Sequence, residues 1–178
     1  MHLFRRARIP VACLPSSLQA LPAGQEVRLE PWAECDVAIE GPRIVSVTLS
    51  GTDAPAPATA AGVTDLHGVI VLPGLLDVHT HLDKAHTWHR APNPTGEFWD
   101  AIKALGDDSR RWTEADIYRR ANFALRSAHA HGTNALRSHV DTGAGAVGEP
   151  GHAALQQLRH EWQGRIHLQT VSLCNLSA

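Results

Sequence analysis

Apolar and polar positions follow two rhythms along this chain, and the change falls near residue 72. Before it, apolar residues come in short, roughly alternating runs, which is the period of a strand with one buried face. Leu3 to Ile9 alternates imperfectly and predicts a first strand. Asp36-Val37-Ala38-Ile39-Glu40 and Arg43-Ile44-Val45-Ser46-Val47 flank the turn pair Gly41-Pro42, and β-branched residues on both sides of such a pair predict a hairpin. The Ala- and Pro-rich stretch 53–61 predicts a loop.

From residue 73 the pattern alternates between strand and helix. Leu75 to His79 predicts a strand after Leu72-Pro73-Gly74, followed by a polar loop through Pro92, Pro94 and Gly96. Glu97 to Leu105 predicts a short helix. Thr113 to His131 is the strongest helix: Thr113 caps it, Glu114 and Asp116 place negative charge on its first turn, and Gly132 ends it. Its stripe is Ile117, Ala121, Ala124, Leu125 and Ala128. Ala135 to Asp141 predicts a strand, Gly143 to Gly151 a loop, Ala153 to Trp162 a helix, and Ile166 to Leu173 another strand. The order β-α-β-α-β is that of a parallel sheet with helical crossovers, so the fold class is α/β. Functional groups in such sheets lie beyond the carboxyl ends of the strands.

Composition narrows the possible functions. The formal charge of -2 over 178 residues gives no net basic field to steer nucleic acid. No apolar stretch approaches the ~20 residues needed to span a bilayer. The twin arginine Arg5-Arg6 precedes a short apolar run broken by Pro10 and Pro15, which does not read as an export signal. Three scattered cysteines, Cys13, Cys35 and Cys174, make neither a disulfide framework nor a zinc knot; buried, reduced thiols in a cytoplasmic protein are expected. The twelve histidines are the compositional oddity.

His79-Thr80-His81 is the strongest chemical feature. Residues two apart on a strand point to the same side, so both imidazoles can reach one ion. A helical pair two apart is rotated by about 200° and cannot. That discounts His129 and His131, whose place at a helix end suits the carbonyl groups there without a metal. His86-Thr87-Trp88-His89 reads as surface, and the isolated His2, His67, His152, His160 and His167 as solvated or structural. The pair at 79 and 81 differs in following an apolar strand and in being followed by Asp83 and Lys84. At the next strand end, Arg137, His139 and Asp141 share a face. Arg137 and Asp141 read as charges held by ion pairing, while His139 suits a pocket wall and a structural role equally. Beyond the third strand, Asn175 offers a carboxamide to a ligand or caps a loop.

The segment Val71-Leu72-Pro73-Gly74-Leu75-Leu76-Asp77-Val78-His79-Thr80-His81-Leu82-Asp83-Lys84 resembles the metal-binding segment of the amidohydrolase superfamily. Its His-x-His-Leu-Asp form, with Ala130-His131-Gly132-Thr133 and Arg137-Ser138-His139-Val140-Asp141 downstream, looks most like the cytosine deaminase group, which includes the isopropylammelide hydrolases. Ala7-Arg8-Ile9-Pro10 and Asp36 to Glu40 are similar to that family's opening β-sandwich strands. The resemblance implies a small β-sandwich over residues 1–72 and the first strands and helices of a (β/α)8 barrel over 73–178. It also implies one divalent ion, zinc or iron, held by His79 and His81, which activates water to deaminate a cytosine-like or other amino-substituted nitrogen heterocycle. Asn175 stands about where cytosine deaminases carry a pyrimidine-gripping glutamine, and is one methylene shorter; Ser138 stands where threonine is usual. His139 and Asn175 are the expected substrate-side residues.

A full barrel needs about 250 residues. The residues after 72 suffice for about three βα units. The family's third histidine ligand, its catalytic glutamate and its aspartate ligand come from later strands. The catalytic groups are therefore expected beyond residue 178, and this chain alone is expected to be inactive. An open sheet of three strands invites self-association or a complementing chain. The alternative expectation is a non-catalytic remnant, or half of a split barrel acting as an assembly module.

Overall fold

The computed structural model describes residues 1–19, 31–51, 61–142 and 148–173. The chain divides into two compact units, Met1–Pro73 and Gly74–Ala178.

The first unit is built on one four-stranded sheet. Its strands are β1 (His2–Pro10), β2 (Trp32–Glu40), β3 (Arg43–Leu49) and β4 (Gly62–Asp65), in the order β3-β2-β1-β4. The predicted hairpin is β2–β3, antiparallel, turning at Gly41 with φ +55°. β1 pairs antiparallel with β2 and parallel with β4. A register shift between Phe4 and Ala7 explains the imperfect alternation of β1. There Arg6 takes φ 54°, its N–H donates to Asp36 Oδ1 at 3.0 Å, and its guanidinium pairs with Asp65. One face packs on Ala7, Ile9, Val11, Leu14, Cys35 and Val37. Cys35 is buried, and burial pushes its thiol pKa up. Cys13 is exposed, contrary to expectation, because it closes a surface turn after β1; Cys174 lies outside the described residues. So does nearly all of the loop expected at 53–61.

The second unit follows the expected β-α-β-α-β order. Strands β5 (Leu75–Thr80), β6 (Thr133–Asp141) and β7 (His167–Leu173) form an all-parallel sheet in chain order. Helices α1 (Phe98–Ser109) and α2 (Glu114–Ala130) lie between β5 and β6, and α3 (Gly148–Glu161) between β6 and β7. Thr113 caps α2 by accepting from the Asp116 N–H at 3.2 Å, and Gly132 leaves it with φ +89°. Ala121 and Leu125 of α2 and Leu155 and Leu158 of α3 are fully buried against Leu136, Val140 and Leu168 of the sheet, and Ile117 of α2 is fully buried too. Each of the buried leucines contributes about 1.5–3 kcal/mol by leaving water.

Two helix boundaries differ from expectation by four residues or more. α1 runs four residues past Leu105, because Asp108 in its last turn is held by Arg90 and by the indole N–H of Trp112. α3 starts at Gly148, within the expected loop; residues 143–147 lie outside the described residues. Pro150 is tolerated in a first helical turn. A Cβ on Gly148 would stand 2.8 Å from Thr142 Cα, so the glycine permits the close approach rather than breaking the helix. Among the described residues no helix is long and apolar enough to cross a membrane.

Candidate functional site

The carboxyl ends of β5 and β6 lie side by side because the strands run parallel with Thr80 opposite Ser138. Leu136, Ser138 and Val140 point to the helices and are buried. Strand alternation therefore turns Arg137, His139 and Asp141 to the opposite face. His79 lies in the last turn of pleat of β5, and His81 follows the strand end with φ -130° and ψ 86°.

Three imidazoles meet at this rim. The rings of His79 and His81 are 5.4 Å apart between centroids, those of His79 and His139 4.1 Å, and those of His81 and His139 5.8 Å. His79 is exposed, while His81 and His139 are half-buried. The Nδ1 atoms of both His81 and His139 are buried with no hydrogen-bond partner among the described residues. Burial pushes the His81 pKa down, and the Lys84 ammonium adds to this; Asp83, the His139 backbone and Asp141 act against it. A neutral ring is the form that binds a metal.

The turn after His81 carries the charged groups. Asp83 is 2% exposed, and its Oδ2 accepts the Asp141 N–H at 3.1 Å. Burial pushes its carboxyl pKa up, chiefly opposed by that hydrogen bond. Lys84 Nζ stands 2.7 Å from Asp141 Oδ2. The Leu82 N–H donates to the buried Ser138 hydroxyl at 3.0 Å, tying the same turn to β6.

The donor set fits an ion that prefers imidazole: two histidines at one strand end, with the buried Nδ1 of His81, and that of the neighbouring His139, left without a partner among the described residues. Among the described residues no group of three His, Cys, Asp or Glu side chains has the spacing of a complete metal site. His139 stands beside the pair, its ring 4.1 Å from that of His79 and 5.8 Å from that of His81.

The structure brings together His79, His81 and His139; Asn175 lies outside the described residues. The charges expected to be paired on β6 separate. Asp141 is paired, with Lys84, but Arg137 donates to Gln169 Oε1 at 3.1 and 3.0 Å. Gln169 is directly opposite Arg137 on β7, and so is nearer than any carboxylate on its own strand. His131 Nδ1 meets the Ser127 carbonyl at 2.8 Å, as a helix-end histidine should. Sequence reasoning gave no role to Asp83, Lys84 or Arg120, whose Nη1 donates to the Asp83 and Ala85 carbonyls. The available signal was Asp83-Lys84 directly behind the histidine pair.

No family model matches the chain. It is 37% identical over 149 residues to a pterin deaminase of Rhizobium rhizogenes, covering 81% of this chain and 32% of that protein. It is 28% identical over 142 residues to the N-isopropylammelide isopropyl amidohydrolase of a Pseudomonas species, covering 77% and 34%. The chain thus spans about a third of the length of these curated relatives. Among solved structures, 5-methylcytosine deaminase of Klebsiella pneumoniae superposes with TM-score 0.70 at 21% identity, covering 96% of this chain and 36% of that one. Atrazine chlorohydrolase of Arthrobacter aurescens, complexed with zinc, superposes with TM-score 0.65 at 19% identity, covering 97% and 35%. The solved structures show the shared fold, and the likeness to the two curated relatives indicates the amidohydrolase superfamily.

Proposed function

We propose that this chain is the front part of a metal-dependent hydrolase that removes an amino substituent from a nitrogen heterocycle. The carrying observation is the convergence of His79 and His81 at one strand end, rings 5.4 Å apart, with His81 Nδ1 buried and unpartnered. His79 and His81 are the residues that would hold a divalent ion, zinc or iron; when bound, that ion supplies Lewis acidity to water at the rim. The zinc in the atrazine chlorohydrolase structure and the names of the two relatives support this reading.

The other groups act on a substrate. His139, its ring 4.1 Å from that of His79, would line the substrate side of the rim. Lys84 places an ammonium on the same rim, where it suits a ring oxo group, and Asp141 keeps it there. Asn175 is the proposed carboxamide partner of the ring. The chain spans only about a third of its relatives' length, so turnover by these 178 residues alone is not expected.

A second reading, half of a split barrel acting through assembly, is favoured by the bareness of β5, on which Leu76 and Val78 are 68% and 67% exposed. The first reading is tested with a chain extended by the remaining strands. Ammonia release from an amino-substituted pteridine or pyrimidine is expected, and His79→Ala and His81→Ala should each abolish it. Turnover that survives either substitution refutes the assignment.

A further inference from the structure

A lysine ammonium sits on four flexible carbons, so holding it at one carboxylate requires its backbone to be fixed. Lys84 lies in a short 3-10 turn, Leu82–Lys84, which has little internal hydrogen bonding of its own. Ser138 and Asp141 tie Leu82 and Asp83 to β6, and the Thr87 hydroxyl donates to the Lys84 carbonyl at 3.0 Å; the grip on the carbonyls flanking Lys84 comes from α2. Arg120 Nη1 donates to the Asp83 carbonyl at 2.7 Å and to the Ala85 carbonyl at 2.8 Å, gripping the residues on both sides of Lys84.

Arg120 is itself immobilised. Its Nε donates to Asp116 Oδ2 at 3.0 Å, and its guanidinium lies over the Trp112 ring, 5.5 Å from the centroid. Asp116 is gripped by both Nη atoms of Arg90, at 2.9 and 2.8 Å, and Arg90 Nε donates to Asp108 Oδ2 at 3.0 Å. The Arg120 side chain is only 10% exposed. Docking α2 does not require this, because Ile117, Ala121 and Leu125 already bury its apolar face. A guanidinium withdrawn from water costs free energy unless its bonds are made, and these bonds converge on the turn that bears Lys84.

We propose that Arg120 is a positioning residue for Lys84: it sets the turn so that the ammonium rests on Asp141, beside the histidine rim. The proposal rests on the reading of that rim as the functional site, yet its test uses neither metal nor turnover. Failure here therefore leaves the histidine assignment standing, and failure of that assignment leaves this result unchanged.

The chain has only two lysines, Lys84 and Lys103, and Lys103 is exposed on α1. Competitive amine labelling of the folded chain, read by peptide mass spectrometry, therefore reports Lys84 against an internal reference. In the wild type Lys84 should lag Lys103 by at least about tenfold, the size of one charge-assisted interaction. In Arg120→Gln the lag should largely vanish, and in Arg120→Lys, which can reach one carbonyl at most, it should shrink. Ile117→Val, a core change on the same helix, controls for lost stability and should leave the ratio unchanged. If Arg120→Gln does not fold, Arg120→Lys decides. A wild-type ratio in the folded Arg120 variants, or equal release of Lys84 in Ile117→Val, overturns the proposal.

Discussion

Ser138 has no exposed surface, yet it carries a hydroxyl among Leu136, Val140 and the helices. The hydroxyl accepts the Leu82 N–H, which otherwise has no water to turn to. Ser138→Ala should therefore destabilise the chain by about 1–3 kcal/mol, the cost of an unsatisfied buried donor. Urea unfolding measures this; an unchanged midpoint and slope would show that the bond contributes nothing. The histidine pair was legible at this scale, because the two-residue spacing on a strand has one geometric consequence. The place of His139 was not, because its nearness to His79 depends on the pairing of Thr80 with Ser138, which no local pattern reveals. The partner of Lys84 was hidden for the same reason: Asp141 comes from the neighbouring strand.

α2 combines an apolar stripe with an ionic first turn. Asp116 is held by Arg90, and further by Arg120, so its carboxyl pKa falls from 3.8 to about 2. Its side chain is 14% exposed, so screening by solvent is modest. A folded pKa below the unfolded one adds stability that is fully present above the unfolded value. That stability is lost as pH falls through about 4 towards 2; its size is about 2 kcal/mol. Asp116→Asn should thus be less stable than the wild type at pH 7, and the gap should narrow towards pH 2. Urea titrations across that range check it, and a gap independent of pH would contradict it. The helix was legible because stripe, cap and terminal glycine agree. The clamp was not, since Arg90 reaches Asp108 and Asp116 across a loop of irregular backbone. The start of α3 was misread because glycines 148 and 151, which look like loop residues, allow its first turn to approach Thr142 and Val140.

The whole molecule leaves apolar surface bare. Every position of β5 from Leu75 to His79 is exposed, and Val171 and Leu173 are exposed on β7. Such an edge and face favour association. Sedimentation of the 178-residue chain should show self-association that rises with concentration, and Leu76→Lys with Val78→Lys should reduce it; a monomer at all concentrations would count against this. The relatives' greater length is consistent with further strands covering the same surface. The histidine rim carries the functional assignment. Zinc titration against a chromophoric chelator should give one equivalent bound to the wild-type chain, weakly, because two imidazoles fall short of the usual three protein ligands. His79→Ala and His81→Ala should each abolish that binding while His129→Ala leaves it intact. Stoichiometric zinc retained by both rim variants, or none bound by the wild type, would contradict the account.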